Sequence, residues 1–98
     1  MPGLSVVFHP AAVEEAQAAR QWYKARSQSA ADSFLAELDR GIEAVSLAPE
    51  RWTLFVHGTR RYLFRRFPFQ LVYRVVKDSV QVVAIAHGRR RPRYWKLR

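Results

Sequence analysis

The spacing of hydrophobic side chains changes once along this chain, close to residue 60. Before that point, apolar residues recur at helical spacing, which is typical of helices with one buried face. After it they alternate with polar residues, which is typical of strands in a sheet with one buried face. The sequence therefore predicts helices in its first part and strands in its second part.

A short strand and two helices are predicted before residue 50. The β-rich run at residues 4–8 indicates the strand, and residues 11–26 have the composition and apolar stripe of a helix. Ser29, with Asp32 three positions later, is typical of a second helix start, and Pro49 ends that helix. The short link between the helices favours an antiparallel hairpin.

Three more strands are predicted after an intervening loop at residues 50–60, and they cover residues 62–66, 69–76 and 80–87. Two-residue connections between them favour antiparallel hairpins. The predicted order is βααβββ. We expect one α+β domain over residues 1–98, with two layers: a helical hairpin packed on one face of a mostly antiparallel four-stranded sheet.

The predicted hairpins assign the strand side chains to two faces, if Arg66 pairs with Phe69 and Lys77 pairs with Val80. One face is almost entirely apolar and should pack under the helices: Tyr62, Phe64, Leu71, Tyr73, Val75, Val82, Ala84 and Ala86. The other face mixes aliphatic with basic or polar residues: Arg61, Leu63, Arg65, Gln70, Val72, Arg74, Gln81, Val83, Ile85 and His87. This second face is either a groove for an acidic amphipathic peptide or a surface covered by a loop or the C-terminal tail.

The positive charge of the chain is concentrated in its second half. The formal net charge is +9, and residues 1–49 hold four basic and six acidic groups whereas residues 50–98 hold thirteen basic and two acidic groups. Eleven of those thirteen basic groups are arginine, which binds phosphates and carboxylates with two parallel hydrogen bonds. This asymmetry predicts an anionic partner for the second half.

Several classes of site are excluded by the residues that are missing. The sequence has no cysteine, so disulfides and thiolate chemistry are ruled out. It has no cluster of metal-ligating residues and no glycine-rich phosphate loop, so neither a metal nor a cofactor is expected. It also has no signal peptide and no apolar run of membrane-spanning length, so we expect a cytoplasmic protein without membrane contact.

The segment from His87 to Trp95 is the strongest candidate for chemistry or target binding. His87 is followed by Gly88 and a run of arginines, and histidine can transfer protons near neutral pH. Tyr94 and Trp95 have rings that can stack on unpaired bases. Trp95 can equally fold back onto the sheet as a hydrophobic latch.

Three stretches in this order carry a family resemblance: VVFHPAAVEEA, RRYLFRRFPFQLVYRVV and VVAIAHGRRRPRYW. Together they resemble the RelE/ParE superfamily of toxins from bacterial type II toxin–antitoxin systems. The hairpin FPFQLVYRV followed by AHGRRRPRYW is more similar to the ParE branch. The resemblance implies the fold described above and a hetero-oligomer with a cognate antitoxin whose C-terminal segment covers the sheet.

The two branches of this superfamily imply different targets. ParE-like toxins inhibit DNA gyrase without known bond-making chemistry, whereas RelE-like toxins cut messenger RNA on the ribosome. The resemblance to RelE-like enzymes would make these residues the catalytic candidates: Arg61, Arg65, His87, Arg90 and Tyr94. However, Gln70 occupies the position of the strand arginine, and Leu63 lies where that branch often has lysine. These departures favour the gyrase inhibitor, with the ribosome-dependent nuclease as the alternative.

Two sets of binding residues follow from the resemblance and the predicted faces. The expected target-binding set lies in the C-terminal segment: His87, Arg89, Arg90, Arg91, Arg93, Tyr94 and Trp95. The expected antitoxin-binding set lies on the mixed sheet face: Arg61, Leu63, Arg65, Gln70, Val72, Arg74, Val83 and Ile85. The antitoxin segment itself should be acidic and amphipathic, because this face is basic and aliphatic.

Overall fold

Two helices pack on one face of a five-stranded mixed sheet, in a computed structural model that describes residues 3–88, 95, 97 and 98. The helices are α1 (Pro10–Lys24) and α2 (Gln28–Leu47). The strands are β1 (Ser5–Phe8), β2 (Thr53–Leu54), β3 (Arg60–Leu63), β4 (Phe69–Val76) and β5 (Ser79–His87). The sheet order is β1-β5-β4-β3-β2, with β1 parallel to β5 and all other pairs antiparallel.

The predicted α+β class is confirmed, and the predicted strand count of four is wrong. Residues 53–54 were expected in a loop, but they pair with β3 and form a fifth, two-residue strand at the sheet edge. Such a short pairing has no alternating apolar pattern of its own, so periodicity did not reveal it.

Both helices begin at side-chain caps. His9 precedes α1, and its Nδ1 accepts a hydrogen bond of 3.1 Å from the Ala11 N–H. Ser27, rather than the predicted Ser29, caps α2 by accepting a hydrogen bond from the Ala30 N–H. Among the described residues, neither helix is long and apolar enough to cross a membrane.

The sheet has two faces, and a β-bulge in β5 changes which residues of that strand lie on each face. Near the turn Val76 pairs with Ser79, whereas beyond the bulge Val72 pairs with Ala84, which leaves Val83 as the extra residue. The helix face, which packs under α1 and α2, carries Leu71, Tyr73, Val80, Val82 and Ile85. The outer face, on the opposite side, carries Val72, Val83, Ala84 and Ala86.

The predicted register differs from the observed one in two ways. Both predicted hairpins are displaced by two positions, since Leu63 pairs with Gln70 and Val76 with Ser79. An even displacement keeps each side chain on its face. The predicted faces of the residues in β3 and β4 are therefore correct. The bulge adds one residue, and it therefore exchanges the faces of β5 beyond Val83: Ala84 and Ala86 lie on the outer face, whereas Ile85 and His87 point toward the helices.

An aromatic cluster closes one end of the core between the helices and the sheet. The Phe34 ring of α2 lies 5.6 Å from that of Tyr23 and 5.5 Å from those of Phe67 and Phe69. Further along α2, a Cβ added to Gly41 would lie 3.0 Å from the Tyr62 ring, so glycine allows the helix to approach the sheet closely.

Tyr73, on β4, connects the core to the segment that follows α2. Its side chain is buried, and its hydroxyl donates a hydrogen bond to the Pro49 carbonyl. Burial raises the pKa of Tyr73 to about 12, an effect that the positive charge of Arg60 opposes only in part.

The raised pKa of Tyr73 predicts that stability declines at high pH. In the unfolded chain the phenol has its ordinary pKa of about 10, so its contribution to stability is complete below that pH and is lost as the pH rises further. We expect the wild-type free energy of unfolding to fall more steeply than that of Tyr73→Phe between about pH 10 and pH 12, the interval between the unfolded and folded pKa of Tyr73. Urea unfolding of both proteins at each pH measures this. Equal slopes for wild type and Tyr73→Phe would contradict the prediction.

Candidate binding surfaces

Trp95 covers the centre of the outer face. Its side chain is 2% exposed and packs against four residues of the two central strands, Val72, Val83, Ala84 and Ala86. Phe55 flanks it, with 5.6 Å between the ring centroids. Of the two alternatives predicted for Trp95, stacking on a target or folding back onto the sheet, the structure shows the second. The aliphatic floor of the predicted groove lies under this indole rather than in solvent.

One exposed apolar side chain of the predicted groove remains beside the latch. Leu63, at the end of β3, is 60% exposed. Arg61, on the same face, donates a hydrogen bond of 3.3 Å to Gln70 Oε1, and its guanidinium lies 4.5 Å from the centroid of the Phe55 ring. Arg61 is thus held in place against the sheet, and Gln70 is buried below it.

Arg98 attaches the C-terminal end of the chain to the sheet and to α1. Its guanidinium forms a two-pronged ion pair with Glu15, with N–O distances of 3.0 and 3.1 Å. The same guanidinium donates to the Val83 carbonyl, and the Arg98 carbonyl accepts a hydrogen bond of 2.9 Å from Arg74. Arg74 in turn donates to Gln81 at 2.7 Å.

Glu15 also supplies an acceptor that the sheet lacks. Strand β1 pairs with residues 79–82 of β5, so within the described part of the chain the following part of β5 has no neighbouring strand on that side. The Ile85 N–H donates instead to Glu15 Oε1 at 3.0 Å. The Glu15 carboxylate therefore accepts the Ile85 N–H at the strand edge and also binds Arg98. These contacts protect this edge of β5 from pairing with another chain.

A pocket of about 430 Å³ lies on the helix side, between α1 and the adjoining ends of β4 and β5. Its walls include Trp22 and Tyr23 from α1, and Phe69 and His87 from the strands. The rings of Phe69 and His87 meet edge to face at 5.2 Å. Trp22 is 53% exposed and carries the Arg26 guanidinium 3.5 Å from its ring centroid.

A second recess, of about 340 Å³, lies between α2 and the loop that joins β3 to β4. We call it the arginine recess, and it is lined by Ser33, Ala36, Glu37, Arg40, Arg65 and Arg66. Glu37 is 2% exposed, and its carboxylate accepts the main-chain N–H groups of Arg65 and Arg66. This buried carboxylate fixes the loop against the helix.

Three predicted site residues lie away from the face that was expected for them. Ile85 and His87 were assigned to the groove face, but the bulge directs Ile85 into the core and His87 into the pocket on the helix side. Arg65 was assigned to a strand, but β3 ends at Leu63 and Arg65 lines the arginine recess. Arg89, Arg90, Arg91, Arg93 and Tyr94 lie outside the described residues.

The described nuclease candidates are dispersed rather than gathered into one site. Arg61 lies on the outer face against Phe55, Arg65 lines the arginine recess beside α2, and His87 borders the pocket beside α1. General acid–base catalysis requires its groups within hydrogen-bonding reach of a shared substrate. These three positions belong to three separate surfaces.

Sequence reasoning missed several residues that organise these surfaces. Arg40 lies in the acidic half of the chain, where net charge gave no reason to select it. The spacing of Ser33, Glu37 and Arg40 places them on one side of α2, and this was the available signal. Glu15 and Arg98 are 83 positions apart, so no local pattern connects them.

The fold and surfaces define a small basic α+β protein, and the family model for the ParE toxin of the type II toxin–antitoxin system parDE matches residues 6–92. The chain belongs to this ParE toxin family, as the sequence resemblance predicted. One similar solved structure is described as "Chromosomal ParDE TA system from P. aeruginosa". It has a TM-score of 0.74 and 17% identity, over 86% of this chain and 95% of that chain. No curated protein matches the sequence.

Removal of the Trp95 side chain should destabilise the protein substantially. Trp95→Ala leaves a cavity over the outer face, so we expect the free energy of unfolding to fall by about 3–5 kcal/mol. Trp22→Ala is a matched control, because Trp22 is half-exposed, and it should cost about 1 kcal/mol or less. Urea unfolding of both variants tests this, and equal losses in the two would show that Trp95 is not a core residue.

Proposed function

We propose that this chain inhibits bacterial growth by poisoning DNA gyrase and that a cognate antitoxin neutralises it. The match of the ParE toxin model to residues 6–92 carries the proposal. The dispersal of Arg61, Arg65 and His87 over three surfaces supports inhibition by binding rather than by catalysis. The same dispersal gives no support to the alternative of messenger RNA cleavage.

The proposed gyrase contact is the basic C-terminal segment. Its residues Arg89, Arg90, Arg91, Arg93 and Tyr94 follow β5 directly, between His87 at the helix-side pocket and the latched Trp95. Both ends of the segment are thus attached to the body of the protein. Trp95 and His87 support the segment in this proposal, and the arginines between them contact the target.

The proposed antitoxin contact is the margin of the outer face around Leu63. Leu63 is exposed there, and the positively charged Arg61 lies two positions away on the same face. An acidic amphipathic segment can place an apolar side chain on Leu63 while its carboxylates approach the basic margin. Val72 and Val83 lie beneath Trp95, and Arg74 is bonded to Gln81 and Arg98. In this proposal Val72, Val83 and Arg74 therefore stabilise the outer face and do not contact the antitoxin.

Induction of the protein alone should distinguish gyrase from the ribosome. We expect induction of the DNA-damage response in cells and inhibition of supercoiling by purified gyrase, without cuts in messenger RNA on programmed ribosomes. Replacement of Arg89, Arg90 and Arg91 by glutamine should abolish the effect on gyrase, because it removes the positive charge of the proposed contact.

The control for this experiment removes three other exposed positive charges. Lys24, Arg51 and Lys77 lie elsewhere on the surface, and their replacement by glutamine gives the same change in net charge. This control should retain inhibition of gyrase. Ribosome-dependent cuts together with unaffected supercoiling would overturn the proposal in favour of the nuclease.

Leu63→Asp should weaken antitoxin binding while leaving the fold intact. It adds a negative charge opposite an acidic partner and removes an apolar contact, so we expect affinity to fall by about tenfold or more. Leu47→Asp is the matched control, since Leu47 is 57% exposed at the end of α2. Calorimetric titration with the antitoxin measures both, and equal affinity for the two variants would place the contact elsewhere.

A further inference from the structure

We propose that the arginine recess is a phosphate-binding site that contacts the backbone of nucleic acid. Three arginines, Arg40, Arg65 and Arg66, line this one recess of about 340 Å³. A guanidinium presents donors in a fork that fits two oxygens of a phosphate group. The Ser33 hydroxyl lines the same recess and adds a further donor.

The donors of the recess are not used within the described part of the protein. Arg26, Arg60 and Arg98 each donate side-chain hydrogen bonds to the chain. The side chains of Arg40, Arg65 and Arg66 make no hydrogen bond or ion pair with any described residue, and the three are exposed. They therefore retain their full capacity to bind an external anion.

The main chain that carries Arg65 and Arg66 is fixed before any ligand arrives. Glu37 accepts both of their N–H groups, and the flanking residues Phe64 and Phe67 pack on Phe34 at ring distances of 5.7 and 5.5 Å. The positions of the arginine Cα atoms thus need no ordering upon binding, which lowers the entropic cost.

The carboxylate of Glu37 does not cancel the positive charge of the recess. It is 2% exposed, and its oxygens accept hydrogen bonds from the main-chain N–H groups of the loop. Three arginines against one buried carboxylate leave the recess with a net charge of +2. A monoanionic phosphodiester is therefore attracted, and it meets guanidinium groups rather than the carboxylate.

The composition of the recess favours a phosphate over an acidic peptide. Peptide segments gain most of their affinity from apolar anchors in pockets, and Ala36 is the one apolar residue in this lining. The exposed apolar side chains Trp22 and Leu63 lie on other surfaces. Contacts to the nucleic-acid backbone need charge and donors but no apolar anchor.

This inference goes beyond the proposed function, because it requires neither gyrase nor antitoxin. The experiment measures binding of the purified protein to a short DNA duplex of arbitrary sequence over a series of salt concentrations. The recess variant combines Arg40→Gln, Arg65→Gln and Arg66→Gln. The charge-matched control combines Lys24→Gln, Arg51→Gln and Lys77→Gln, which lie outside the recess.

We expect the recess variant to bind DNA about tenfold more weakly, with a log–log salt slope that is smaller in magnitude by about one to two units. The control should lose less than half as much in both quantities. The recess variant should unfold at the wild-type temperature, because its three side chains form no hydrogen bond or ion pair with any described residue. In parallel, nitrogen-15 NMR of the wild type should show shifts of the Nε–H signals of the three recess arginines when DNA is added.

Two results would overturn the proposal. Equal losses for the recess variant and the control would mean that net charge alone attracts DNA. Shifts of the recess signals with an acidic peptide, such as polyglutamate, but not with DNA would assign the recess to a carboxylate-bearing partner. Because the assay contains no gyrase, its failure leaves the proposed toxin activity standing, and failure of the gyrase assay leaves the recess standing.

Discussion

The β-bulge at Val83 is the constraint on which the surfaces of this protein depend. It places two consecutive side chains, Val83 and Ala84, on the outer face, and it returns Ile85 and His87 to the helix side. Ala84 and Ala86 are small, so the outer face of β5 is shallow there and the Trp95 indole can lie against it. Without the extra residue, Ile85 would lie at this place and the two alanines would face α1, where they would leave a cavity.

The bulge also determines how the C-terminal end is held. Beyond it, β5 no longer has β1 beside it, and Glu15 from α1 accepts the Ile85 N–H. The same carboxylate binds Arg98, whose guanidinium reaches the Val83 carbonyl. Burial of Trp95 and the pairing of Arg98 thus both attach the C-terminal end to β5. Each makes the other more favourable, because a chain end attached at one point loses less entropy when it is attached at a second.

The parts that could be predicted from the sequence are those governed by local periodicity. The two helices and the strands β1, β4 and β5 follow from residues that are near in sequence or share an apolar pattern. No glycine marks the bulge in the sequence. The prediction therefore assigned His87 to the wrong face. The arginine recess needs Arg40 beside Arg65, a contact between α2 and a loop, and periodicity carries no information about such a contact.

The resulting arrangement separates the exposed Leu63 side chain from the arginines of the recess. Leu63 lies on the outer face, whereas the arginine recess lies beside α2 on the other side of the sheet. Hydrophobic contacts and phosphate contacts respond differently to salt, because salt screens charge but does not weaken apolar burial. An antitoxin bound through Leu63 and a nucleic acid bound through the recess would contact different atoms, because the two surfaces lie on different sides of the sheet. The segment from Leu63 to Arg65 connects the two surfaces directly, and Glu37 holds it in place through the Arg65 N–H.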